Sequence, residues 1–125
     1  LPWSSGALSI ANQKATLEDL ELQLENQKTT LEIQIQNSTK KIMQAQSQLE
    51  LLEKNVDLAQ KKYDMTQTAY SHGSKDFLTL QDSANSLLNA KISLMSQKIT
   101  LLNAVLSLEN TLGIPFGTLM DSESK

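Results

Sequence analysis

Apolar and small residues recur along much of this chain at alternating steps of three and four, the spacing of one face of an α-helix. The clearest line covers four heptads, at Ile42, Ala45, Leu49, Leu52, Val56, Ala59, Tyr63, Thr66 and Tyr70. A seam of this kind buries its apolar face only against a second helix. The pattern therefore predicts a long helix with a helical partner.

A second helix is predicted downstream, where the spacing recurs at Phe77, Leu80, Ala84, Leu87, Leu94, Leu101, Val105, Leu108 and Leu112. In this interpretation Lys91 and Lys98 interrupt the seam. A second apolar line runs beside it through Leu88, Ile92, Met95, Ile99, Leu102 and Leu106, and the first helix has a matching line at Leu51, Leu58 and Met65. Two seams on each helix predict packing on two sides, as in a bundle or a helical barrel.

Helix-breaking residues lie only at the ends of the two helical segments and at one point between them. No glycine or proline occurs from Ala7 to His72 or from Ser74 to Leu112, and Gly73 separates the two stretches. We predict an all-α fold, a long antiparallel helical hairpin (coiled coil) that turns near Gly73. Its parts are an entry segment 1–6, a long helix 7–72, a tip turn 73–76, a return helix 77–112 and a loose tail 113–125.

The two arms of this hairpin are unequal. Counted from Gly73, a return helix that ends at Leu112 reaches only to about residue 34 of the first helix. Upstream leucines at Leu17, Leu20, Leu24 and Leu31 therefore lack a partner within the chain, and a stutter between Leu31 and Ile35 marks the boundary. We expect a neighbour outside this polypeptide to cover them.

Composition excludes several classes of function. The 125 residues carry a net charge of -3 and include no arginine, which argues against binding to nucleic acid. The absence of cysteine excludes disulfides and thiolate chemistry. No apolar run approaches the roughly 18 residues of a membrane span. Because the chain starts at Leu1 without a signal segment, we interpret it as a piece of a longer protein.

No residue set indicates catalysis, a cofactor or a metal. His72 is the single histidine and has no nucleophile or metal partner in the pattern, so we interpret it as a solvated turn residue. The acidic group Glu18, Asp19, Glu21, Glu25 and Glu32 includes Lys28 and fits a solvated helix face. We predict that the chain is not an enzyme. The uncharged polar face of the second helix, from Asn85 to Asn110, fits either an aqueous duct lining or an ordinary wet surface.

The turn and the return helix carry a recognisable order of motifs: Tyr70-Ser71-His72-Gly73, then Phe77-Leu78, Leu80, Asp82-Ser83-Ala84, Leu87-Leu88, Ala90, and Leu108 to Leu112 before Gly113. In this order and spacing they resemble the TolC-like outer-membrane efflux protein family. The opening Leu1 to Gly6 is similar to the strand-to-helix entry of the family's second repeat. Ser74, Lys75, Asp76 and Gln81 depart from the usual pattern, which leaves the choice of adaptor open.

The resemblance implies a homotrimeric duct whose periplasmic part is a barrel of helices, in an outer-membrane protein of a diderm bacterium. It implies membrane contact only through parts absent from this chain. It also implies a tip at Tyr70, Ser71, His72, Gly73, Ser74, Lys75 and Asp76, where a periplasmic adaptor (membrane fusion) protein docks. The alternative is a soluble coiled-coil interaction module, such as an adaptor-protein hairpin.

Overall fold

The computed structural model describes residues 2–123, and the side chains of residues 4–122. Three helices follow one another: α1 at Pro2–Ser71, α2 at Phe77–Leu112 and α3 at Thr118–Glu123. The two long helices pack against each other as a hairpin, and the described residues include no strand. The predicted all-α hairpin is confirmed. Residues 38–125 form one compact unit, which contains the hairpin, and residues 1–37 form another.

Both chain ends carry more helix than the sequence predicts. α1 begins at Pro2, so residues 2–6 are helical where a separate entry segment was predicted. Proline is compatible with the first helical turn, because the N–H it lacks has no partner there. Residues 118–123 are helical where a loose tail was predicted. The N–H of Asp121 donates to the carbonyl of Gly117 at 3.0 Å in this short helix.

The hairpin core on α1 follows the predicted seam. Between residues 38 and 69, partly or fully buried side chains recur at steps of three and four, with Ala45 the most buried. At the end of the seam, Ala69 is partly buried and Tyr70 is exposed. The Tyr70 ring instead lies edge-on to the Phe77 ring, with 6.2 Å between centroids. The seam prediction is therefore confirmed except in its last residue.

The core on α2 includes the predicted seam positions from Leu80 to Leu108, with Ala84 and Val105 partly buried, but the predicted end positions Phe77 and Leu112 are exposed. Leucines recur every seven residues, and between them the inward positions are Ser83, Ala90, Gln97, Ala104 and Thr111. Lys91 and Lys98 are exposed and do not interrupt the seam. Small side chains at alternate layers leave room for a polar contact between the helices. In this space, Gln97 Nε2 donates a hydrogen bond to the backbone carbonyl oxygen of Ala45 at 3.2 Å.

The turn between α1 and α2 closes with glycine in the left-handed region. Gly73 has φ 76°, as its place in the sequence predicts. The N–H of Gly73 donates to the Tyr70 carbonyl at 3.0 Å, and the N–H of Ser74 donates to the Ala69 carbonyl at 2.8 Å. These are the two bonds of a Schellman motif, which satisfies carbonyls at the end of α1.

Residues 4–34 present every described side chain to solvent. This part of α1 belongs to the unit of residues 1–37. Large apolar side chains are exposed there, at Leu8, Ile10, Leu17, Leu20, Leu22, Leu24, Leu31 and Ile33. The predicted lack of intrachain cover for the leucines of this segment is confirmed.

Candidate functional surfaces of the hairpin

The predicted tip residues lie together at the end of α1 and in the turn that leads to α2. All seven, from Tyr70 to Asp76, are exposed. The backbone and the ring of His72 both contact the last turn of α1. The backbone N–H donates to the Thr68 carbonyl at 3.2 Å, and the ring Nδ1 lies 2.8 Å from the same oxygen. The imidazole therefore caps the end of α1.

Asp76 immediately precedes α2, and local hydrogen bonds lower its pKa. Its backbone is extended, and its Oδ1 accepts from the N–H of Thr79 at 2.8 Å, which makes it the N-cap. Hydrogen bonds from Thr79 stabilise the carboxylate and hold the pKa of Asp76 below its usual value, with a smaller contribution from the adjacent Lys75. The tip therefore presents one lysine beside one carboxylate that stays ionised.

Each helix of the hairpin exposes a row of apolar side chains next to its buried seam. The α1 outer row is Leu51, Leu58 and Met65, each one residue before a seam position, and Met65 is 73% exposed. The α2 outer row is Leu88, Ile92, Met95, Ile99 and Leu102, which lies one or two residues after seam positions. Leu106, at the end of that line, is partly buried. Apart from Leu106, both second seams predicted from the sequence are therefore solvent-exposed.

Opposite the α2 outer row, α2 carries a polar flank without charge, which we call the neutral face. Its residues immediately precede seam positions, and all are exposed: Ser86, Asn89, Ser93, Ser96, Thr100, Asn103, Ser107 and Asn110. One residue turns a helix by about 100°, so a line before the seam and a line after it lie on opposite flanks. Gln97 belongs to the seam instead, where it bonds α1.

The neutral face continues onto α1 across a shallow cleft of about 430 Å³. Lys41, Gln44 and Gln48 line the α1 side of this cleft, and Gln97 and Thr100 line the α2 side. The surface between the two helices is therefore polar on both sides, with lysine as its charged component.

A cluster at the end of α2 has no counterpart in the sequence prediction. Glu109 is fully buried, and its Oε2 accepts from the N–H of Leu119 in α3 at 3.3 Å, while Oε1 has no hydrogen-bond partner. α3 thus folds back over the last turns of α2. The spacing of apolar residues does not predict this contact, because α3 has six residues and is too short to show a helical repeat.

Two features of other protein classes are absent from the part of the chain that the structure describes. Within residues 2–123, no three His, Cys, Asp or Glu side chains are grouped closely enough to hold a metal ion. None of the described helices has an apolar stretch long enough to cross a bilayer. The surfaces with distinctive chemistry are thus the tip, the two outer rows, the neutral face and the cluster around Glu109.

Comparison with known protein families matches residues 4–114 to the family described as outer membrane efflux protein. No curated protein and no solved structure matches the chain significantly. The matched range includes the tip, both outer rows and the neutral face. The matched range covers most of the 125 residues. Members of this family are channel and transport proteins rather than enzymes. The chain belongs to the outer membrane efflux protein family.

Proposed function

We propose that this hairpin forms part of the wall of a periplasmic duct in a trimeric outer-membrane efflux channel and docks a periplasmic adaptor protein at its tip. The observation that carries the proposal is the pair of exposed apolar rows, one on each helix of the hairpin. A hairpin that works alone needs one seam, whereas a wall element needs additional contacts at both edges. Family membership favours this over a soluble coiled-coil module.

The outer rows supply the lateral contacts of such a wall. Burial of apolar surface contributes roughly 25 cal/mol per Å², so covering side chains as exposed as Leu58, Met65 and Ile92 favours association strongly. The α1 outer row lies one residue before the buried positions of α1, and the α2 outer row lies one or two residues after the buried positions of α2. Neighbouring helices can therefore pack on both edges of the hairpin without displacing its core.

The neutral face suits the surface that lines the duct. Its Ser, Thr and Asn side chains form hydrogen bonds with water and carry no fixed charge that would hold a passing solute. The exposed acidic residue of α2, Asp82, precedes the first residue of the neutral face, and other acidic residues such as Glu50 and Asp57 lie on α1. The flank with fewest charged groups therefore faces the water-filled path.

Thiol labelling of the assembled channel tests the wall assignment. The chain has no cysteine, so Ser93→Cys places a single thiol on the neutral face of this segment. A charged methanethiosulfonate reagent is expected to react there and to lower single-channel conductance by about a tenth or more, because it adds bulk and charge inside the pore. Glu50→Cys, an exposed position away from the neutral face, is the matched control and should leave conductance unchanged.

The outer rows provide the second arm of that experiment. Leu58→Cys and Ile92→Cys should resist a hydrophilic maleimide in native membranes and react after denaturation, since neighbouring helices cover both positions. Rapid labelling of both thiols in native membranes would contradict the wall and favour a hairpin that stands free in solution.

Adaptor docking is proposed at the tip because the turn is exposed and held in one conformation by local bonds. The Schellman motif at Gly73 fixes the end of α1, and the Asp76 cap fixes the start of α2. A rigid loop binds a partner with less loss of conformational entropy than a mobile one. Ser74 and Lys75 then offer a hydroxyl and an ammonium group to the partner.

Photo-crosslinking in cells tests the docking site. A photoreactive residue in place of Lys75 is expected to capture the adaptor, whereas the same residue in place of Lys54, an exposed lysine remote from the turn, is expected to capture none. Equal capture from both positions, or capture from Lys54 alone, would place the adaptor away from the tip.

A further inference from the structure

A groove of about 410 Å³ lies between α3 and the hairpin, away from the neutral face. Its floor is formed by Ile42 of α1 and by Leu101, Leu102 and Val105 of α2. Leu119 and Met120 of α3 close one side. The lining is mainly aliphatic, and a volume of a few hundred Å³ is that of a site for a small organic molecule.

The α3 segment that closes one side of the groove, which we call the roof, is held in place by the buried carboxylate of Glu109. Its Oε2 accepts from the backbone N–H of Leu119, whose side chain lines the groove. Gly117, with φ 94°, turns the chain back into α3. Glu109 therefore acts as a positioning residue, because it holds the segment that closes one side of the groove.

Lys98 is the one charged residue that lines the groove. Its side chain is exposed at the edge of the groove. An aliphatic pocket with a single ammonium group at its edge is complementary to a molecule with an apolar body and one acidic group. Gln46 and Ser122 also line the groove but are uncharged, so the lining supplies one positive charge, which suits a singly charged carboxylate or sulfonate better than a multiply charged phosphate.

We propose that this groove binds an amphiphilic organic anion, with its apolar part against Leu101, Val105 and Leu119 and its acidic group at Lys98. A protein helix is a poorer occupant, because α3 encloses one side of a space too small for a helix about 10 Å across. Leu102 belongs both to the groove and to the α2 outer row, so binding is tested on the isolated chain, in which no wall is assembled.

Calorimetric titration of the full chain with decanoate, and with decanol as the uncharged analogue, tests the site. The wild-type chain is expected to bind both ligands saturably. Lys98→Gln should raise the Kd for decanoate about five- to tenfold and leave the Kd for decanol unchanged, because only decanoate loses an ion pair. Lys91→Gln, the lysine one heptad earlier that does not line the groove, should change neither Kd.

A variant of the roof separates this groove from other apolar surfaces. Leu119→Ser should weaken both ligands, since both contact the aliphatic lining, while Leu88→Ser on the α2 outer row should weaken neither. Helix content measured by circular dichroism confirms that each variant retains its fold. The proposal is overturned if Lys98→Gln and Lys91→Gln have equal effects, if Leu88→Ser acts like Leu119→Ser, or if decanoate binding does not saturate.

Discussion

Leu87→Ala is expected to lower the free energy of unfolding by about 2 to 4 kcal/mol, while Leu88→Ala changes it by less than about 1 kcal/mol. The two leucines are neighbours in sequence on the same helix. Leu87 is 8% exposed and belongs to the seam that packs on α1, whereas Leu88 is 55% exposed and belongs to the α2 outer row. Truncation at Leu87 removes apolar contacts and leaves a cavity; truncation at Leu88 removes a side chain that is half in water.

Urea denaturation followed by circular dichroism at low protein concentration measures both variants. The midpoint should fall for Leu87→Ala at an unchanged slope, because the slope reports the surface exposed on unfolding. Leu88→Ala is the matched control, since it removes the same atoms one residue away. An equal decrease in the free energy of unfolding for the two variants would mean that Leu87 is no more buried in the hairpin core than Leu88.

The sequence pattern was enough to predict the main features of the hairpin. The absence of breakers places two helices on either side of Gly73, and the three-four spacing identifies the core face of α1. These features are local, because helix spans depend on backbone conformation and the seam depends on a repeat within one segment. The same spacing identified the second seams that the structure exposes.

The error in the α2 seam has a clear physical origin. Counting apolar residues selects Val105, which is partly buried, but it misses Ala104 and cannot select Ser83 or Gln97. Burial at those positions follows from the approach of α1, which leaves space for small side chains and places the Ala45 carbonyl within reach of Gln97. A strict heptad from Leu80 through Leu108 would have found these positions, because the leucines recur every seven residues.

The cluster around Glu109 could not be predicted from the pattern. A glutamate in a helix is ordinarily solvated, and its burial here depends on a short helix about ten residues further along the chain. α3 has no amphipathic repeat and is held by contacts with α2. A contact of this kind is a tertiary property, so it becomes visible only when the chain is folded.

Leu17, Leu24 and Leu31 are expected to make the chain self-associate. These residues are one heptad apart on one face of α1, and all are exposed. A second copy can cover them with the same face, as in a coiled coil. Isolated surface leucines are common, but a row repeated every seven residues offers a continuous apolar contact. Sedimentation equilibrium over a range of concentrations should therefore detect species larger than a monomer.

Replacing the three leucines with glutamine is expected to weaken this association at least about tenfold, because much of the apolar area of the contact is removed. Glu18→Gln, Glu25→Gln and Glu32→Gln form the matched control, since each lies one residue further along and the same glutamine is introduced. The control should associate as tightly as the wild type, or more tightly as repulsion between acidic side chains falls. A wild-type monomer at the highest concentration, or equal weakening in both triple variants, would show that this leucine row does not mediate contacts between chains.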